Sequence, residues 1–145
     1  MDNQREVNIE LIKGTLDDYI VKDKDKIVIG RFTITELDKE NKKCNLKLKF
    51  YREDNYDLLK LTLEAILKAV FKDKNTFKAN IVVTENINLK PFLDIGFTLE
   101  AIFTDNIFTK GNFYDELSFG INRKIARDLF LSYFFLFNIK VFYKK

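Results

Sequence analysis

The stretch Asn80–Ile121, NIVVTENINLKPFLDIGFTLEAIFTDNIFTKGNFYDELSFGI, decides how this chain is read. Ile81, Val82 and Val83 are a continuous apolar run, as expected of a strand buried on both faces, and the strand is placed at Phe77–Thr84. Asn88–Ile95 reads as a short helix with Pro91 in its first turn, where a missing N–H costs nothing. Gly96 supplies the left-handed stop. Thr98–Phe108 and Phe113–Ile121 read as strands joined by Thr109-Lys110-Gly111-Asn112, with glycine at a hairpin turn.

Working outward, Asp57–Phe71 changes to a helical period. Leu59, Leu63, Ile66, Leu67 and Val70 share one face, with Lys60, Glu64 and Lys68 opposite. Before it, Asn45–Arg52 alternates Leu46, Leu48 and Phe50 with Lys47 and Lys49, a strand signal. Lys26–Leu37 is rich in the Ile, Val, Phe and Thr that favour strands, and the polar run Asp38–Lys43 turns the chain between the two. Glu6–Ile12 and Tyr19–Val21 are shorter strand candidates separated by Gly14. The strand–helix–strand unit from Asn45 to Thr84 implies neighbouring parallel strands, because parallel pairing needs a crossover. The order as a whole describes an α/β, mixed, mostly antiparallel sheet in a single domain spanning residues 1–145.

Composition narrows the chemistry. The chain has 145 residues, 46% hydrophobic and 32% charged, the balance of an ordinary globular protein. Its net charge is +3 with lysines interleaved among acids, so no basic face for nucleic acid is evident. There is no histidine and one cysteine, which leaves neither a zinc site nor a histidine-based triad. Acid–base work must fall to Asp, Glu, Tyr, Lys or bound water. A lone Cys44 and no evident leader segment point to a reducing cytoplasm.

From Lys26 to Ile121 the element order, the Gly96-Phe97 pair and Asn112-Phe113-Tyr114-Asp115-Glu116 resemble the GCN5-related N-acetyltransferase (GNAT) family, in its ribosomal-protein and spermidine acetyltransferase branch. The resemblance implies acetyl-CoA as acyl donor and a primary amine as acceptor: a polyamine, a protein N-terminus or a small metabolite. It also implies two helices between the first strand and Lys26, where this chain has only about a dozen residues, so the front is abbreviated.

The family places the donor's pyrophosphate on a glycine-bearing helix start, where N–H groups and the helix dipole favour an anion. Here that segment is Arg52-Glu53-Asp54-Asn55-Tyr56-Asp57, without glycine and with three carboxylates, so donor affinity is expected to be weak. Asp54 or Asn55 can equally serve as a helix cap. The positions carried over as donor contacts are Phe50, Tyr51, Arg52, Asn55, Tyr56 and Asn86, the last for the pantetheine arm. The tyrosine that many members place four residues before Gly-Phe is Phe92 here, which has no proton to give. Glu85, at a strand end, is the first candidate for general base and Glu36 the second. Asp115 reads as structural. An enzyme and a non-catalytic module that keeps the scaffold both remain open.

Beyond Ile121, Leu129–Tyr143 (LFLSYFFLFNIKVFY) is nearly all apolar but too short and interrupted to span a bilayer. A helix from Arg123 to about Phe134 and then a strand are expected. This surface must be covered, either within the chain or across a homodimer.

Overall fold

The computed structural model describes residues 6–126. Seven strands form one sheet: β1 (Asn8–Leu11), β2 (Asp18–Lys22), β3 (Val28–Asp38), β4 (Lys43–Phe50), β5 (Lys78–Thr84), β6 (Thr98–Thr109) and β7 (Asn112–Asn122). Their order across the sheet is β1-β2-β3-β4-β5-β7-β6. Every neighbouring pair is antiparallel except β4 and β5, which run parallel. The crossover between them is α1 (Tyr56–Lys68), continued by a π-helical segment, Ala69–Asp73. The expected parallel pair and its crossover helix are therefore present.

Alternation decides which face is covered. Leu46 and Leu48 on β4, Ala79, Ile81 and Val83 on β5, and Leu117, Phe119 and Ile121 on β7 are buried. Against them pack Leu59, Leu63, Ile66 and Leu67 of α1, all fully buried. The short helix α2 (Lys90–Ile95) adds Phe92 and Ile95, and Gly96 closes it in the left-handed region at φ 113°. Phe92 stacks on Phe119 at 4.5 Å between centroids and meets Phe97 edge-on at 5.4 Å. It is core, as its apolar neighbours suggest.

The opposite face of the sheet is polar and carries no helix among the described residues. β1 turns directly into β2 through residues 12–17, so the helices expected of the family at this point are absent and a strand hairpin stands in their place. On this face Glu100 of β6 reaches across β7 to β5, where Asn80 Nδ2 donates to Oε1 at 3.0 Å and Lys78 Nζ lies 3.0 Å from Oε2. Gly120 on the intervening strand leaves room for it. Any Cβ there would stand 2.7 Å from Oε1 and closer still to Oε2.

β6 and β7 are joined by a two-residue turn with Lys110 and Gly111 both at positive φ, 51° and 82°, the geometry that matches strand twist. Asn122 Oδ1 accepts from the Ile125 N–H at 3.0 Å and starts a helical turn at residues 123–126. The aromatic segment Leu129–Tyr143 lies outside the described residues. None of the helices described is long and apolar enough to cross a membrane.

Candidate active site

β4 and β5 part company at one end. Their last register pair is Lys47 with Val82, so β4 from Leu48 to Phe50 has no strand partner on its β5 side. The Tyr51 N–H is spent on the Ile29 carbonyl at 2.8 Å. Alternation therefore turns the Phe50 N–H the other way, into the gap. Beyond the gap the two loops are strapped together, since the Asn88 N–H donates to the Glu53 carbonyl at 3.0 Å.

Two adjoining hollows open at this gap and share Leu48, Lys49, Thr84 and Ile107. One, about 400 Å³, is bordered by Phe50, Tyr51, Glu53, Asn86, Lys110 and Tyr114. The other, about 340 Å³, lies on the polar face and is bordered by Arg31, Thr33, Thr35, Lys47 and Glu116. The hollows adjoin at the four shared residues, with the Phe50 N–H turned into the gap and Glu116 in the lining of the second.

Glu116 is the residue that sequence reasoning missed. It is 6% exposed. Lys47 Nζ lies 3.4 Å from its Oε2, and Asn106 Nδ2 donates to its Oε1 at 2.6 Å. A wide bulge in β6 brings these groups together. Between the pairs Phe103–Glu116 and Ile107–Tyr114, β6 carries Thr104, Asp105 and Asn106 against the single Asp115 of β7. Asp115 Oδ1 secures the bulge by accepting from the Asp105 N–H at 2.9 Å, with Asp105 at φ 50°. That is the structural role its position suggests. Tyr114, also unassigned from sequence, brings a phenol to the first hollow.

The sequence candidates divide. Phe50, Tyr51 and Asn86 border the gap. Arg52 and Asn55 belong to the turn ahead of α1: the Asn55 N–H donates to the Arg52 carbonyl at 2.9 Å, and the Asn55 side chain caps the helix by accepting from the Leu58 N–H at 3.1 Å. Tyr56 donates its hydroxyl to Asp94 Oδ2 at 2.5 Å, tying α1 to α2. With the Lys90 ammonium also bonded, this holds the Asp94 carboxyl below its ordinary range. Glu85 does not border either hollow; its Oε1 accepts the Asp115 N–H at 2.8 Å. Glu36 is farther along β3, where its Oε1 accepts from Asn45 Nδ2 at 2.8 Å. Cys44 is buried, and burial pushes its thiol up to about 11, which leaves it inert as a nucleophile.

The donor that such a gap implies can be tested piece by piece. The gap and the Phe50 N–H suit an acyl-pantetheine arm. The phosphate end fares worse: a hollow at the α1 start is bordered by Glu53 and Asp54, and one of the helix's N–H groups is already taken by Asn55. Carboxylates there oppose an anion by about 0.3–1 kcal/mol each when exposed.

No protein-family model and no curated protein matches the sequence. Solved structures do. The N-terminal domain of ribosomal-protein-alanine acetyltransferase from Clostridium acetobutylicum is 32% identical, with a TM-score of 0.78 over 82% of this chain and 92% of that one. Mutant forms of the spermidine/spermine N-acetyltransferase from Vibrio cholerae, at 18% identity and a TM-score of 0.62 over 81% of this chain and 73% of that one, share the fold. With its parallel pair opening onto a backbone donor and with a relative of this identity over most of both chains, this chain belongs to the GCN5-related N-acetyltransferase family.

Proposed function

We propose that this protein is an N-acetyltransferase that moves an acetyl group from acetyl-CoA to a primary amine: a polyamine, a protein N-terminus or a small metabolite. The observation that carries the reading is the gap between β4 and β5, open beyond Lys47 and Val82 and walled by the Phe50 N–H. When bound, acetyl-CoA supplies an acyl carbon activated by its thioester; the new C–N bond forms as the C–S bond breaks. The Phe50 N–H, turned into the gap, would donate to the carbonyl oxygen as it gains negative charge, the most effective position for a fixed donor. Glu116 borders the hollow on the polar face, where its carboxylate would take the proton that the amine gives up, directly or through one water. Tyr114 is the phenol placed to return a proton to sulfur, a task that Phe92 cannot perform. Glu85 is the alternative base, one strand end away.

Phe50, Tyr51 and Asn86 would hold the arm, with Arg52, Asn55 and Tyr56 at the phosphate end. Affinity there is expected in the high micromolar range, because the α1 start is acidic. These carboxylates, together with Phe92, also favour a second reading, a GNAT-fold module that binds or assembles without turnover. Residues 1–145 act as one domain in either case, in a reducing cytoplasm that suits a single buried thiol, and two copies associate through the C-terminal aromatic segment.

The test is thermal shift with acetyl-CoA and with free CoA, paired with thiol release in the presence of amines. Melting should rise with ligand concentration, and thiol should appear only with both substrates. Ligand-dependent stabilisation without thiol release from any amine would favour the second reading. Neither response would remove the enzyme. Sedimentation of the full-length chain as a monomer would remove the dimer.

A further inference from the structure

The hollow on the polar face holds more positive charge than its own carboxylate can balance. Lys47 is already matched to Glu116 at 3.4 Å. That leaves Arg31 and Lys49, which are register partners directly opposite each other on β3 and β4. Both border the hollow and both are solvent-exposed. Like charges at opposed positions destabilise a sheet, yet neither side chain has an ion-pair partner among the described residues. The carboxylate of Asp18 on the next strand is engaged by the Thr33 hydroxyl at 2.6 Å. An unrelieved pair of cations at the mouth of a site suits a ligand that brings the counter-charge.

We infer that the acceptor is an amine bearing its own anionic group, a carboxylate or phosphate, and not a polyamine. The inference rests on the acetyltransferase reading and sharpens its acceptor. The amine sits at Glu116 on β7, and the anion at Arg31 and Lys49 on β3 and β4. β4 and β7 flank β5, so they are two strand spacings apart, roughly 10 Å where the ladder is intact, and farther at Lys49, where β4 has left β5. Arg31 and Lys49 have side chains long enough to shorten that span. A peptide whose first residues are acidic spans it, and a free acidic amino acid does so only if the cations reach in to meet it. Spermidine fits poorly, since its second and third ammonium groups would face the two cations.

The experiment compares L-glutamate, a hexapeptide beginning Ala-Asp-Glu, its Ala-Asn-Gln counterpart and spermidine, by thiol release with acetyl-CoA and by calorimetric titration without it. The two acidic probes are expected to exceed the neutral peptide and spermidine at least tenfold in kcat/KM or in affinity. Which of them leads distinguishes a free metabolite from a chain terminus. In the Arg31→Gln/Lys49→Gln variant that preference should fall at least tenfold, and salt should weaken it in the parent protein. Its melting temperature should be unchanged or higher, because the opposed charges are gone. Spermidine matching or exceeding the acidic probes, or a preference that survives in the variant, overturns the inference while leaving acetyl transfer intact. Thiol release absent with every probe counts against the acetyltransferase reading, and the titrations still decide the charge preference. Binding of none of the four overturns it.

Discussion

Replacing Gly120 with alanine probes an unusual reach across the sheet. The new methyl would occupy space held by the Glu100 carboxylate, whose Cδ would be 2.5 Å away. Backbone strain is not the issue, because Gly120 is not among the positive-φ glycines. Glu100 must swing aside and give up its bonds to Asn80 and Lys78, at 3.0 and 3.1 Å. A hydrogen bond to a charged group is worth about 1.5–3 kcal/mol, and with a side chain 34% exposed the lower end applies. The surface ion pair adds about 0.2–1 kcal/mol. Against this, alanine in place of glycine recovers about 0.5 kcal/mol of chain entropy. The net expectation is a loss of about 1–2 kcal/mol. In a Glu100→Ala background nothing remains to displace, and the same substitution should become neutral or stabilise by about 0.5 kcal/mol. Urea denaturation of the four proteins, at constant m-value, yields the coupling directly. An equal cost in both backgrounds would refute the argument and show that Glu100 does not lie over Gly120 in solution.

Glu116→Gln should lower kcat by about 10²–10⁴ with little change in donor affinity; full turnover in this variant would return the role to Glu85. Phe92→Tyr, which restores the residue type many relatives carry, should not raise turnover, and should destabilise by about 1–3 kcal/mol because the hydroxyl enters the Phe97–Phe119 cluster; a gain in rate would disprove its assignment to the core. Neutralising Glu53, Asp54 and Asp57 together (to Gln, Asn and Asn) should tighten acetyl-CoA binding severalfold by calorimetry, and unchanged affinity would mean that the phosphates lie elsewhere. The Tyr56 hydroxyl first, then Lys90, depresses the Asp94 carboxyl, so its contribution is present above the unfolded value near 4 and lost as pH falls through the lower folded one; the acid-side decline in melting temperature should flatten in Asp94→Asn.

Periodicity made most of the architecture legible. Alternation in Asn45–Arg52, the helical stripe from Leu59 to Val70 and the Lys110-Gly111 turn each have a local cause that acts without tertiary help. The cap was narrowed to Asp54 or Asn55 for the same reason, and the structure assigns it to Asn55. The Glu116 site was not. Thr98–Phe108 reads as one uninterrupted strand, but three residues of it bulge against Asp115, and a two-residue period contains no sign of that. Nor does sequence tell which of several strand-end carboxylates turns inward. Glu85 lies just past the end of β5 and Glu116 on the adjacent β7, and only the register of β5 with β7 commits the first to the Asp115 backbone and leaves the second beside Lys47. Tyr114 was hidden in plain view, inside a segment whose fold signature drew attention to Asp115.

The bond from the Asn88 N–H to the Glu53 carbonyl makes the gap an eyelet instead of a fork. The ladder up to Lys47 and Val82 closes one end and, among the described residues, this bond closes the other. A slender arm can thread it, but a molecule with a bulky group at each end must wait for the strap to open. Entry and departure of such a ligand are then governed by one backbone hydrogen bond between two loops. Slow association without loss of final affinity would be its kinetic mark. Hydrogen exchange at the Asn88 amide, measured with and without acetyl-CoA, reads that opening at its source.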